Sequence, residues 1–470
     1  MTMAAARHVA VIDIGKTNAK LALVDLETGA ETTALRQPNR PRTDGPYPHH
    51  DVEALWAFIL EGLASLRKEK HPIDAISVTT HGATAALVDA EGNLVLPVLD
   101  YEFDGPDTLR DSYGAVRPPF PQTGSPRLPL GLNLGAQLFW LQKSFPEEFA
   151  RAQAILTYPQ FWSRRLTGIA ASEATSLGCH TDLWNPHARD FSSLVDATGW
   201  RHLFPPLRRA DAVLGPVLPE IAARTGLDPA TPVVCGIHDS NASLLPHLAM
   251  RKPPFAVVST GTWVVSMAVG GREGALDPMR DTLVNVNAYG DPIPSARFMG
   301  GREFELLMGD TPHGWEDSDV RAVLSQQVMV LPSVQYGSGP YPHLSGDWAE
   351  PEPQGGQRVV AASFYLALMT ATCLELIGAE GEIIVEGPFA TNEPYLAMLA
   401  AATGRPIAAA QGHATGTSIG AALLAGKLAS APCVATLPSP HNPGSLRSYA
   451  KRWRPEVVGV GEPLAATADD

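Results

Sequence analysis

Residues Val9 to Leu26 read VAVIDIGKTNAKLALVDL, two apolar, partly β-branched runs that meet at a short polar turn. The pattern predicts a strand–turn–strand hairpin, with Asp13, Gly15, Lys16, Thr17 and Asn18 at its tip. A carboxylate ending a buried strand, followed by a glycine and several hydrogen-bond donors, suits a phosphate with its metal ion. Gly15 would let backbone N–H groups approach the anion closely. The Gly-Lys-Thr triplet invites a P-loop reading, but that motif needs a glycine where Ala10 stands and a helix where a second strand is expected. An ordinary hairpin turn is the bland alternative, and this stretch alone does not separate it from a phosphate site.

At 470 residues the chain calls for two large domains. A net charge of −14 argues against nucleic acid or an anionic membrane as the main partner. An anionic substrate would then need a local basic site, for which Lys16 is a candidate. Cys179, Cys235, Cys373 and Cys433 lie far apart with no CxxC spacing, which fits reduced thiols rather than a disulfide framework or a zinc site. No signal-peptide pattern precedes the first strand, and no uninterrupted apolar run of about 18 residues appears. The expectation is a cytoplasmic protein without a membrane span.

Strand-like and helix-like patterns alternate outward from the opening hairpin, which indicates an α/β protein. A third strand is expected over Glu31–Arg36, and Asp51 reads as the N-cap of a helix carrying Leu55, Phe58, Ile59, Leu63 and Leu66. Ala75–Thr80 reads as a buried strand ending at His81-Gly82, and Thr231–Ile237 as another leading to His238-Asp239. Arg251-Lys252-Pro253-Pro254 is the best candidate for a domain boundary. Beyond it the opening grammar returns: a strand Phe255–Ser259, a turn Thr260-Gly261-Thr262 and a strand Trp263–Val269. A helix Val359–Leu376, a strand Glu382–Val385, a loop Glu386–Asn392 and a helix Glu393–Thr403 follow. Two halves with the same opening suggest duplicated domains facing across a cleft. The last 25 or so residues show no clear periodicity and are expected to wrap or fray.

Asp239 sits where a buried strand gives way to a helix, the end of the sheet at which α/β proteins bind ligands. Such an aspartate can take the proton of an attacking hydroxyl in phosphoryl transfer; a plain helix N-cap is the rival explanation. His238 beside it reads as a packed or hydrogen-bonding histidine, since no second His or Cys stands at a ligand spacing. Thr260-Gly261-Thr262 gains meaning only as a second phosphate turn paired with the first. His81, Gly82, Asp100 and Glu102 offer the donors and acceptors that grip sugar hydroxyls, with a solvated turn as the alternative.

Taken in order, these motifs resemble the FGGY family of carbohydrate kinases, within the actin, hexokinase and Hsp70-like ATPase superfamily. The likeness runs from about Val9 to Gly426 and includes Leu166-Thr167-Gly168 and the closing Gly420-Ala421-Ala422-Leu423-Leu424-Ala425-Gly426. The resemblance implies two duplicated actin-like (ribonuclease H-like) α/β domains: 1–248 mainly for sugar, 249–435 mainly for ATP, and a tail over 436–470. It implies Mg²⁺ held through water by Asp13, with Asp239 as a second carboxylate toward the metal. Lys16, Thr17, Asn18, Gly261, Thr262, Gly387 and Asn392 would contact ATP; His81, Gly82, Asp100, Glu102 and Asp239 would contact the sugar, with Asp239 as general base. The chain departs from the family where Asp100-Tyr101-Glu102 replaces the usual Trp-x-Asp-x-Arg, where His238 replaces a glycine, and where Pro388 replaces the second glycine of the adenosine loop. The expected activity is transfer of the γ-phosphoryl group of Mg·ATP to a hydroxyl of a ketose or polyol, with 6-deoxyketoses such as L-rhamnulose or L-fuculose as examples. A non-catalytic sugar sensor, an actin-like ATPase and an acyl-phosphate kinase are the rival readings. Homodimerisation is left open.

Overall fold

The computed structural model describes residues 6–349, 352–410, 416–429, 434–436 and 442–459. The chain folds as two compact units. The first takes the described residues up to Met250, Val284–Ile293 and those between 412 and 432; the second takes the remainder.

In the first unit the opening stretch forms β1 (His8–Ile14) and β2 (Asn18–Asp25), paired antiparallel with Asp13 opposite Lys20. A third strand β3 (Ala30–Pro38) continues the meander, and β4 (Ala75–Thr80) pairs parallel to β1. The sheet is completed by β5 (Val213–Pro216) and β6 (Pro232–Val234), in the order β5-β6-β4-β1-β2-β3, with β7 (Ile237–His238) also on β4. Both sheet faces are covered, which is why the opening strands are continuously apolar rather than alternating. Ala10, Ile12 and Ile14 join the core of the helix Val52–Lys68, capped by Asp51 as expected, while Val9 and Val11 pack with Ala242, Leu245, Ala421 and Ala422 on the other face. Helices Asp239–Met250 and Gly416–Leu423 cross closely there, since a Cβ on Gly420 would lie 1.7 Å from the Ala242 carbonyl oxygen. The small residues of the closing motif are thereby explained. The run expected as one strand over Thr231–Ile237 breaks in two, because the Cys235 and Gly236 N–H groups donate to the Ala212 and Ala210 carbonyls instead of a sheet neighbour.

The second unit repeats this architecture. Its strands β8 (Phe255–Thr260), β9 (Val264–Val269), β10 (Pro292–Phe298, paired through Ser295–Phe298), β11 (Glu382–Glu386), β12 (Ile407–Ala410) and β13 (Val434–Thr436) lie in the order β10-β9-β8-β11-β12-β13. Three strands run antiparallel, two more add in parallel, and the last is antiparallel again, the same sequence of senses as β3-β2-β1-β4-β6-β5. This is the duplicated actin-like pattern.

The helix Gly355–Leu376 is long and apolar enough to cross a membrane by length and composition, but 89% of its most apolar window is buried within the core of this unit. The chain end differs from expectation. Pro443–Gly459 is a helix whose Tyr449 and Trp453 are each 1% exposed, and Trp453 Nε1 donates to the Val330 carbonyl. Its apolar residues are too few to show a period, so only tertiary burial reveals the face. Among the described residues Cys179, Cys235 and Cys373 are buried and unbridged, while Cys433 lies outside them.

Glu303, on the helix Gly300–Met308, is fully buried, accepting from the Gln335 N–H at 3.0 Å and the Tyr365 hydroxyl at 3.0 Å. Burial outweighs both donors and pushes its pKa from 4.5 up to about 7. Between those values the folded chain keeps a proton that the unfolded chain has released. This carboxyl therefore makes stability fall as pH rises through that window and level off above it. Glu303→Gln is expected to flatten that fall, raising the melting temperature relative to wild type more at about pH 8 than at about pH 5. Parallel melting profiles for the two proteins would rule this assignment out.

Candidate active site

Three parallel strands of the first unit, β1, β4 and β7, end side by side, and each delivers a candidate residue there. On β1, Asp13 faces Lys20 across the hairpin, with Lys20 Nζ 3.5 Å from Asp13 Oδ2, 3.2 Å from Glu31 Oε2 and 2.7 Å from Ser418 Oγ. Burial is the main force lifting the Asp13 pKa to about 6; Lys20 opposes it, and the Asp239 charge adds to it. Asp13 and Asp239 thus act on one another electrostatically. A partly desolvated carboxylate raised by a second carboxylate is a group that a divalent cation would relieve. Mg²⁺ needs only one or two carboxylates besides water and phosphate oxygens, so the pair fits that ion. No cluster of three or more His, Cys, Asp or Glu suited to a metal occurs among the described residues.

The turn is a hairpin turn with no helix after it, so a P-loop is excluded. Gly15 N–H donates to the Asn18 carbonyl at 2.9 Å, and Asn39 braces the turn through its Nδ2 on the Gly15 carbonyl and its N–H on the Thr17 carbonyl. Asn39 is a residue for which the sequence offers no local signal. Thr17 and Asn18 are exposed at the tip, whereas Lys16 turns away from them. Its Nζ contacts Asp100 Oδ1, lies 3.3 Å from Glu102 Oε2 and sits 4.7 Å from the Tyr101 ring centroid.

β4 ends at His81-Gly82. The His81 ring meets Tyr101 edge-on at 5.5 Å, and burial lowers its pKa to about 4, so it is a neutral imidazole whose Nδ1–H donates to the Gly82 carbonyl at 3.0 Å, leaving Nε2 to accept from a hydroxyl. Gly82 is needed for close approach, because a Cβ there would stand 2.7 Å from His238 Nε2. β7 leads into Asp239, the first residue of its helix, whose Oδ1 accepts the Ser240 N–H at 2.6 Å and lies 3.2 Å from His238 Nε2. Burial resists charging His238, but Cys179 and Asp239 more than offset it and raise its pKa to about 9. The imidazole is also oriented by Asn241, and its backbone N–H donates to Thr175 Oγ1, which donates in turn to Glu173. His238 is therefore a partner of Asp239 rather than a bystander, as is Lys20 for Asp13. Metal-ligand spacing says nothing of this role for His238; its position next to Asp239 is the signal that does.

The second unit gathers the other candidates. Gly261 N–H donates to the Trp263 carbonyl at 3.0 Å, and Gly261 and Thr262 lie at the turn between β8 and β9. Thr260 ties this turn to the loop after β11: its Oγ1 donates to the Glu386 carbonyl and accepts the Phe389 N–H. Gly387 has φ of 82°, and a Cβ there would lie 2.0 Å from the Thr260 carbonyl oxygen, so only glycine lets the two loops meet. Asn392 caps the helix Glu393–Thr403, accepting from the Tyr395 N–H at 3.0 Å and donating to Ser363 Oγ at 2.9 Å. Those bonds give it a structural duty of its own.

The family model of the FGGY N-terminal domain matches residues 8–246, and that of the carbohydrate kinase FGGY C-terminal domain matches 252–432. An L-fuculokinase of Salmonella typhi is 28% identical over 272 residues, 56% of this chain and 57% of that protein. A rhamnulokinase of Bacteroides thetaiotaomicron is 24% identical over 267 residues, 54% of this chain and 53% of that protein. The matched stretch thus spans little more than half the length of these curated relatives. The crystal structure of a carbohydrate kinase from Novosphingobium aromaticivorans is 37% identical, covers 95% of this chain and 100% of its own, and superposes with a TM-score of 0.87. With its sheet and opening turn duplicated and both domain models matched along most of its length, this chain belongs to the FGGY family of carbohydrate kinases.

Proposed function

We propose that this protein transfers the γ-phosphoryl group of Mg·ATP to a hydroxyl of a neutral sugar or polyol, with Asp239 as general base. The observation that carries the reading is the convergence of Asp239, Asp13 and His81 at adjoining strand ends, with His238 Nε2 3.2 Å from the Asp239 carboxylate. The L-fuculokinase and rhamnulokinase relatives make L-fuculose and L-rhamnulose the first substrates to try.

In this reading His81, Gly82, Asp100 and Glu102 hold the sugar, and Asp239 takes the proton of the hydroxyl whose oxygen attacks the γ-phosphorus. The bond to the oxygen bridging the β- and γ-phosphates breaks as the new one forms. His238 holds one Asp239 oxygen, leaving the other for the substrate hydroxyl. Asp13 and Asp239 are the residues that would hold Mg²⁺, which when bound neutralises charge on the phosphoryl oxygens. Thr17, Asn18, Gly261 and Thr262 serve as phosphate contacts, Gly387 and Asn392 as nucleoside contacts, and Lys20 as a cation that balances Asp13. Residues 1–248 then act mainly on sugar and 249–435 mainly on ATP.

A coupled ADP-release screen across ketoses, aldoses and polyols of both hands tests this. ADP formation that depends on one of these sugars is expected. Rapid ADP formation independent of every sugar would point to an actin-like ATPase, and no nucleotide turnover with any of them to a sensor.

A further inference from the structure

We propose that Lys16 is a substrate-released lysine: Asp100 and Glu102 hold its ammonium away from the phosphate turn until the hydroxyls of a neutral sugar take over those carboxylates, coupling sugar occupancy to the grip on the γ-phosphate. This rests on the kinase reading above.

Lys16 belongs by backbone to the turn between β1 and β2, but by side chain to the loop after Leu99. Thr17 and Asn18 flank it toward β2, whereas the Lys16 side chain is 14% exposed. Asp100 is the fixed partner. Its side chain is 6% exposed, its N–H donates to the Pro48 carbonyl at 2.9 Å, and its Oδ1 accepts the Glu102 N–H at 3.2 Å. The lysine therefore comes to the carboxylate. Glu102 Oε2 at 3.3 Å and the Tyr101 ring at 4.7 Å complete the holder, and His81 meets the same ring edge-on.

The holder contains the residues proposed to grip sugar hydroxyls. A carboxylate that accepts from two sugar hydroxyls has less to offer an ammonium, and a lysine on a flexible four-carbon stem can swing to a nearby anion. Two carboxylates around one ammonium also leave a net negative charge, which disfavours a sugar acid and favours an uncharged substrate. By linkage, a sugar that frees Lys16 tightens binding of a nucleotide bearing a γ-phosphate, and that nucleotide tightens sugar by the same factor. Without sugar the lysine is withheld. Transfer to water, in which a water oxygen bonds the γ-phosphorus, the bond to the β–γ bridging oxygen breaks and Asp239 takes the proton, then stays slow.

The test uses the full chain with Mg·ATP as the only ligand. Asp100→Asn combined with Glu102→Gln is expected to raise sugar-free ADP and phosphate formation by about 10-fold, and adding Lys16→Met should remove the rise. Asparagine keeps an oxygen for the Glu102 N–H, so the turn is retained. Glu102→Gln alone, at a side chain that is 62% exposed, serves as the variant without folding risk and should give a smaller rise in the same direction. No rise in either carboxamide variant, or a rise that survives Lys16→Met, overturns the coupling. A wild type that phosphorylates sugar while these variants stay silent overturns the coupling alone. A wild type that phosphorylates no sugar overturns the kinase reading.

Discussion

Asp239→Asn is expected to bind sugar with near-normal affinity and to lose about 10²–10⁴-fold in turnover, the range a positioned general base contributes. The substitution is close to isosteric. An asparagine Oδ1 can still accept the Ser240 N–H that Asp239 holds at 2.6 Å, so the start of the helix Asp239–Met250 should survive. What disappears is the negative charge and the ability to take a proton. His238, held up near 9 partly by that carboxylate, should lose part of its support. Calorimetric sugar binding beside single-turnover kinetics separates the two effects. Near-normal turnover in this variant would remove Asp239 from the role of base.

Asp13→Ala is expected to act on the metal rather than on the sugar. A carboxylate that reaches Mg²⁺ through water belongs to the outer layer of a metal site, where removal costs about 10–100-fold in metal affinity or activity. The Mg²⁺ concentration giving half-maximal rate should rise by that order while the sugar KM moves little. The fold should persist, because Lys20 keeps Glu31 at 3.2 Å and Ser418 at 2.7 Å after Asp13 is gone. A Mg²⁺ requirement identical to wild type at unchanged melting temperature would exclude Asp13 from the metal. A rise in sugar KM alone would instead place it among the sugar contacts.

Much of this was legible in the chain because it is local. The hairpin over Val9–Leu26 follows from two short apolar runs and a turn, and its echo at Phe255–Val269 from the same grammar repeated. Asp239 could be located because a strand giving way to a helix marks the sheet end where ligands gather. The cap by Asp51 and the helix Glu393–Thr403 were likewise readable from neighbours a few residues away. Asn392 carries the same signal, standing just before that helix, although the family resemblance draws it toward the nucleotide instead.

What the sequence determined by itself, then, was the order of elements and the residues stationed at strand ends, since both depend on short-range periodicity and turn chemistry. Tertiary structure alone decided where the side chains went. Lys16 follows a carboxylate 84 residues away and Lys20 a serine 398 residues away, distances at which no local pattern carries information. The helix Gly416–Leu423 joins the first unit because Gly420 can lie against Ala242, and Pro443–Gly459 is ordered by the burial of Tyr449 and Trp453 in the second. Long-range packing selects one among the rotamers and faces that local sequence leaves equivalent, and at the opening turn that selection sets the Lys16 ammonium against Asp100 and Glu102.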